Sequence, residues 1–289
     1  MEIVSWNPPA SLDLAVSMAR FARWGGDPVN RFDGVHYWRA FRHDSQLMAY
    51  RARQESRTIV IETDGEPSIA LADLEYRLGG TLPFAPLEDL CSSDLVISRE
   101  RDARPGYRPP LEPDLLASLV TSITAQQVNL TWATTTRTRL VERYGAAHSF
   151  LGETLWCFPQ PEVLAAADTS DLRAMQFTTR KSEFIVEVGR QVASGGLDDL
   201  ERLSDEDVVD SLVAIRGVGR WTAEWTLARH LGRPNAVAAG DLGVRKAISH
   251  LYLGSEHLLP DEEVRKVVAP WGDAANWATH LFLEALSTN

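Results

Sequence analysis

The sequence predicts an α+β fold, a small N-terminal antiparallel sheet followed by an all-helical body, on three observations. The first hundred residues carry short alternating apolar and polar runs. From Asp114 onward apolar residues recur at helical spacing instead, and Pro105-Gly106 with Pro109-Pro110 punctuates the chain between the two regimes. These mark an N-terminal α+β domain over 1–108 and a helical region over 109–289.

Taken in order, Leu12 to Trp24 is an apolar stretch with helical character, closed by the turn Gly25-Gly26-Asp27-Pro28. Val35 to Arg42, Gln46 to Arg53 and Thr58 to Glu62 have strand composition, and Asp64-Gly65 is a hairpin signal. In the helical region Leu115, Leu116, Leu119, Val120 and Ile123 form one stripe. Further helices are expected over Val163 to Met175, Thr179 to Ser194, Asp205 to Ile215, Thr222 to Leu231, Leu242 to Leu253, Asp261 to Val268 and Ala274 to Leu286.

Composition excludes several classes of function. The hydrophobic fraction of 44% is that of a globular protein. No apolar run reaches the roughly 18 residues that span a bilayer, and Met1 to Pro9 lacks the blocks of a signal peptide, so a cytoplasmic protein without a membrane partner is expected. Cys91 and Cys157 stand far apart with no Cys or His at ligand spacing, which reads as two buried thiols rather than a disulfide, zinc or iron-sulfur site. The net charge of −11 is unlike a nucleic-acid binder. Locally the balance reverses, since Arg216 to Lys246 holds six cations (Arg216, Arg220, Arg229, Arg233, Arg245, Lys246) against Glu224 and Asp241. A basic face on an acidic body can still hold phosphates.

The most informative stretch runs from Leu212 to Ala223. A helix ending at Ile215 meets Gly217-Val218-Gly219, and a new helix starts near Trp221. The two glycines permit positive φ and close approach of another backbone. The amides of Gly217, Val218 and Gly219 then stand at a helix N-terminus with the helix dipole behind them, a site suited to a phosphate, and Arg216 and Arg220 flank it. A lone Gly-x-Gly is more often a plain helix connection. Ala236 to Gly240 then leads to Asp241, 22 positions after Gly219, at the start of the next helix. An aspartate there can cap the helix, catalyse, or do both.

This pattern resembles the helix-hairpin-helix base-excision DNA glycosylases, with a hairpin over about 205–231 and an Asp loop over about 234–242. Within that superfamily the chain is most similar to the inducible bacterial 3-methyladenine DNA glycosylases. Arg104 to Pro109, Ile123 to Val128, Ala269-Pro270-Trp271 and His280-Leu281-Phe282 extend the likeness, so that its ordered motifs cover about two-thirds of the chain. The resemblance implies a TBP-like N-terminal sheet and Asp241 as the catalytic carboxylate. It implies a base pocket of Trp221, Trp225 and Phe282, and DNA contacts from the hairpin, Arg216, Arg220, Arg245, Gln126 and Gln127. Gln127 would fill the gap left by a flipped base. Leu242 stands where the family can carry an aromatic residue.

The same resemblance implies that an alkylated purine, of the 3-methyladenine or 7-methylguanine type, is flipped out of damaged double-stranded DNA and its N-glycosidic bond hydrolysed. Relatives that also nick the strand carry a lysine where Trp221 stands, so monofunctional action is expected. No cofactor is needed for hydrolysis, although a structural monovalent or divalent cation on the carbonyls of Val213, Ile215 and Val218 fits the family's hairpin. One protein acting on one flipped base predicts a monomer. Two other readings remain open at this level: a glycosylase for oxidised or deaminated bases on the same scaffold, and a non-catalytic helix-hairpin-helix DNA-binding protein.

Overall fold

The computed structural model describes residues 1–288. Its first unit is a five-stranded antiparallel sheet of β1 (Glu2–Trp6), β2 (Asn30–Phe32), β3 (His36–His43), β4 (Gln46–Glu55) and β5 (Thr58–Thr63), in the order β1-β5-β4-β3-β2. On one face Tyr37, Tyr50, Ile59 and Ile61 meet Leu14 and Met18 of α1 (Leu14–Met18) and Leu74 of α3 (Pro67–Arg77), with α2 (Arg20–Arg23) beside them. The other face carries Trp38, Ala40 and Ala49.

The chain reverses between β3 and β4 at Asp44-Ser45, both with positive φ, and between β4 and β5 at Ser56. Asp64-Gly65, expected as a hairpin turn, instead leads from β5 into α3. The Asp64 carboxylate accepts the Ala49 amide at 2.8 Å, and the Met48 side chain fills the space that a Cβ on Gly65 would need.

The second unit is built from α4 (Ala85–Ser93), α5 (Leu95–Ala103), α6 (Leu115–Ala125), α7 (Leu130–Tyr144), α8 (Pro161–Ala165), α9 (Thr169–Ala174) and α10 (Thr179–Ala193). It continues through α11 (Asp205–Val213), α12 (Arg220–Arg229), α13 (Leu242–Lys246), α14 (Asp261–Val268) and α15 (Ala275–Thr288). Side-chain caps set several starts: Asp114 for α6, Asn129 for α7, Thr178 for α10 and Ser204 for α11, each accepting an amide of the first turn. The stripe on α6 is the centre of this unit, with Leu116, Leu119, Val120 and Ile123 buried among side chains of α10 and α12.

The expected order, an N-terminal antiparallel sheet and then a helical body, is what the structure has, and packing refines its details. The helical body carries one two-stranded addition, β6 (Ala146–Phe150) and β7 (Glu153–Cys157), a hairpin whose Phe150, Leu155 and Cys157 cover the second face of the N-terminal sheet. Leu82, Leu87, Cys91, Ile97 and Tyr107 bury into the helical core, so by packing the helical unit begins well before the boundary expected at 108. The helices expected over Leu12 to Trp24 and Val163 to Met175 are each two short helices, and the one from Leu242 widens after Lys246 into a π turn, Ala247–Tyr252. Buried Arg77 joins the units by donating to Asn30, Tyr37 and the Leu111 carbonyl.

Candidate active site

The hairpin joins α11 to α12, and its two glycines do different work. Gly217 has φ +94°, and a Cβ there would lie 2.1 Å from the Phe184 ring. Only glycine fits. Gly219 has an ordinary extended backbone, φ −95° and ψ 172°, so positive φ is a demand of Gly217 alone. A Cβ on Gly219 would meet nothing within 4 Å, and no side chain caps α12. The N-terminal amides of α12 therefore face open space with the positive end of the helix dipole behind them. Arg216 and Arg220 are exposed beside them, at 2.6 Å from Glu183 and 2.9 Å from Glu224.

The loop from Arg229 to Asp241 is pinned from behind. The buried Asn276 side chain donates to the carbonyls of Ala228 and Arg233, its backbone amide donates to that of Pro234, and tight turns close Val237 to Asp241. Asp241 then caps α13, with Oδ1 accepting the Val244 amide at 3.0 Å. Its Oδ2 accepts the indole N–H of Trp221 at 2.8 Å and that of Trp225 at 3.3 Å. The cap and the two indole bonds use different oxygens of one carboxylate.

Asp241 faces a cleft of about 1210 Å³. Gln126 and Gln127 stand at the end of α6, Trp221, Trp225 and Arg229 on α12, Lys246 on α13 and His280 on α15. The Arg229 guanidinium lies over the Trp225 ring at 3.6 Å from its centre, and its Nε donates to His280 Nε2 at 3.3 Å. His280 Nδ1 is 2.9 Å from the Asn276 carbonyl, which makes Nδ1 the protonated nitrogen and Nε2 the acceptor. Burial first, then the charge of Arg229, pushes His280 down to about 3, so the ring is neutral at physiological pH. Burial and then the neighbouring Arg20 push Arg229 down to about 9, which leaves it cationic at neutral pH.

The structure brings Asp241, Trp221, Trp225, Gln126, Gln127 and the hairpin to one side of the molecule. Gln127, exposed at the cleft rim, holds φ +56°. Gln126 is spent on the hairpin, donating to the Gly217 carbonyl at 3.2 Å and Thr222 Oγ1 at 3.3 Å. Two expected residues are not in place. Phe282 is fully buried, stacked with Trp271 and packed on Tyr252, because two positions after His280 a helix presents its opposite side. Arg245 donates its Nε to the Leu259 carbonyl at 2.7 Å and so tethers a loop. Sequence reasoning missed Arg229, His280 and Lys246. The four-residue step from Trp225 to Arg229 was a usable signal for the first.

Comparison with known proteins identifies the relatives of the chain. A family model described as HhH-GPD superfamily base excision DNA repair protein matches residues 120–272. A putative DNA-3-methyladenine glycosylase of Bacillus subtilis is 39% identical over 125 residues, 43% of this chain and 42% of that one. A DNA-3-methyladenine glycosylase of the same organism is 30% identical over 198 residues, 68% of this chain and 65% of its own length. The matched stretches thus span about two-fifths to two-thirds of these curated relatives. A solved 3-methyladenine DNA-glycosylase from Archaeoglobus fulgidus superposes with a TM-score of 0.87 at 26% identity, covering 97% of both chains.

Proposed function

Because this chain belongs to the HhH-GPD superfamily of base excision DNA repair proteins, we propose that it is a monofunctional DNA glycosylase that removes alkylated purines of the 3-methyladenine and 7-methylguanine type. The observation that carries the proposal is Asp241, held by three hydrogen bonds inside a cleft that opens beside an uncapped helix N-terminus. One feature supplies the charge and the other the grip on DNA. The names of its relatives and structural neighbour support the alkylbase substrate.

The steps follow from the residues. The amides of Gly219 and the first turn of α12 take a backbone phosphate beside the lesion, while that of Val218 stays on the Ile215 carbonyl, and Arg216 and Arg220 are released from their carboxylates to neighbouring phosphates. The damaged nucleotide rotates into the cleft, and Gln127 occupies the vacated stack. As the base leaves, positive charge grows on the deoxyribose. A fixed carboxylate in a cleft of low dielectric stabilises that state more than the ground state. Three of the roughly four lone-pair directions of Asp241 are already taken, so its role is electrostatic, with one direction left to orient the attacking water. The C–N bond breaks, the base departs with the bonding electron pair, and water adds to the anomeric carbon and releases one proton to solvent.

Trp221 cannot form a Schiff base, and the lysine of the cleft, Lys246, is exposed on α13, so strand cleavage is not part of this reading. Hydrolysis needs no cofactor. A hard cation suits the carbonyls of Val213, Ile215 and Val218, although that of Ile215 already accepts the Val218 amide at 3.0 Å. When bound, such an ion would strengthen phosphate binding only. The enzyme is read as a monomer acting on cytoplasmic duplex DNA. No helix among the described residues is long and apolar enough to cross a membrane.

The test is release of bases from duplexes carrying single 3-methyladenine, 7-methylguanine, 8-oxoguanine or hypoxanthine residues, with strand breaks scored before and after alkali. Release of the methylpurines with breaks only after alkali supports the reading. Release of 8-oxoguanine alone, or breaks without alkali, contradicts it.

A further inference from the structure

The two arginines that flank the hairpin are held by carboxylates in very different surroundings. The side chain of Glu183, the partner of Arg216, is 37% exposed, whereas that of Glu224, the partner of Arg220, is 6% exposed. An exposed carboxylate is rehydrated when its arginine departs. A buried one is not, and an unpaired charge in such a place carries a large penalty. Arg216 can therefore turn to a phosphate unaided, and Arg220 cannot.

Glu224 has a second cation. Arg265 of α14 donates an Nη to the same Oε1 of Glu224 at 2.6 Å, on which Arg220 places its Nε at 2.9 Å. Neither arginine has another carboxylate within ion-pair distance among the described residues. Two guanidiniums on one carboxylate leave one positive charge in excess, next to the uncapped start of α12. The two are not equivalent. The Arg220 side chain is 67% exposed at the first position of α12, while that of Arg265 is 30% exposed. Arg220 is therefore the one placed to reach outward, and Arg265 the one placed to stay.

We propose that Arg265 is a positioning residue for DNA binding: it keeps the buried charge of Glu224 paired, so that Arg220 is free to leave for a backbone phosphate beside the one held at the start of α12. The inference rests on the reading of the hairpin as a phosphate grip and adds to it a helix, α14, that lies outside the hairpin. Without Arg265 the buried carboxylate retains Arg220, and the hairpin grips DNA with one arginine instead of two. Glu183 needs no such second cation, because water replaces Arg216.

The experiment measures affinity for an undamaged duplex against salt concentration, in the wild type, Arg220→Met, Arg265→Met and the double variant Arg265→Met with Glu224→Gln. Each phosphate contact contributes about 0.9 to the slope of log K against log salt, roughly an eightfold change in affinity at 0.1 M salt. Arg265→Met is expected to lose about one contact, as Arg220→Met does. The double variant, which no longer has a buried charge to hold Arg220, should regain the wild-type slope and affinity. Neither a direct phosphate contact by Arg265 nor a general loss of stability gives that rescue. A loss that persists in the double variant overturns the proposal. So does a wild-type slope in Arg265→Met; if Arg220→Met is weakened in the same series, the phosphate grip stands and the proposal alone falls. A wild-type slope in Arg220→Met removes Arg220 from the phosphates, and the grip and the proposal fall together. Should Arg265→Met not fold, NMR of the arginine Nε–H groups in the wild type reads the same exchange. Adding duplex should move the Arg220 resonance and leave that of Arg265 in place, and the reverse pattern, or a still Arg220, overturns the proposal.

Discussion

Trp221 donates its indole N–H to Oδ2 of Asp241 at 2.8 Å, a bond that joins the helix behind the hairpin to the carboxylate twenty residues later. The start of α12, where we propose a phosphate is held, and the carboxylate at the start of α13 are thereby fixed relative to each other. Trp221→Phe keeps the ring and removes only the donor. Its kcat should fall by about tenfold to a hundredfold, the worth of a hydrogen bond to a charged group, with little change in KM. A variant as fast as the wild type would show that the bond does not position Asp241.

The two hairpin glycines should fail in different ways. Gly217→Ala places a methyl into Phe184 at a left-handed backbone, and should cost about 2 kcal/mol or more of stability in urea unfolding. Gly219→Ala meets no protein atom, so the fold should be unharmed while affinity drops about fivefold, one hydrogen bond's worth, for damaged and undamaged duplex alike. Undiminished binding by Gly219→Ala would remove the phosphate from the start of α12.

Gln127→Ala should slow release from a fully paired duplex and leave release from single-stranded DNA nearly unchanged, since only a duplex has a gap to fill. Equal slowing on both substrates would point to a role in the pocket.

His280 makes stability depend on pH. Its folded value of about 3 lies below the ordinary 6.5, so the unfolded chain takes up a proton in that window and the folded chain does not. The contribution is complete above pH 6.5 and is lost as pH falls toward 3. Burial, Arg229 and the nearby charge of Arg20 oppose protonation of the ring, and outweigh the Asn276 carbonyl, which favours it. Urea midpoints should show about 2 to 3 kcal/mol lost between neutrality and roughly pH 4.5, a loss that His280→Asn lacks. Parallel profiles for the two proteins would contradict the assignment.

How far the sequence discloses this site depends on whether a residue's task is local. Gly217, Gly219 and Asp241 are legible because a tight turn and a helix start leave a pattern in adjacent residues. Trp221 and Trp225 are legible as neighbours through their four-residue spacing, but that their N–H groups converge on one oxygen needed the loop pinned by Asn276. Phe282 and Arg245 were misplaced for the opposite reason: composition names a residue as aromatic or cationic, and only packing decides that one faces Trp271 and the other the Leu259 carbonyl. The β6–β7 hairpin escaped notice because its two short strands gain their burial from a sheet a hundred residues earlier in the chain.

The claim at the centre of this account is that the negative charge of Asp241 drives base release. Asp241→Asn preserves the shape and the bond to Val244 while removing the charge and the oxygen that accepts the two indole N–H groups, and the measurement is single-turnover release of 7-methylguanine from a duplex, alongside affinity for the same duplex. The account predicts unchanged binding with release slowed by at least about a thousandfold, of the order lost with a main electrostatic group. Release by Asp241→Asn at a rate near the wild type's would contradict it.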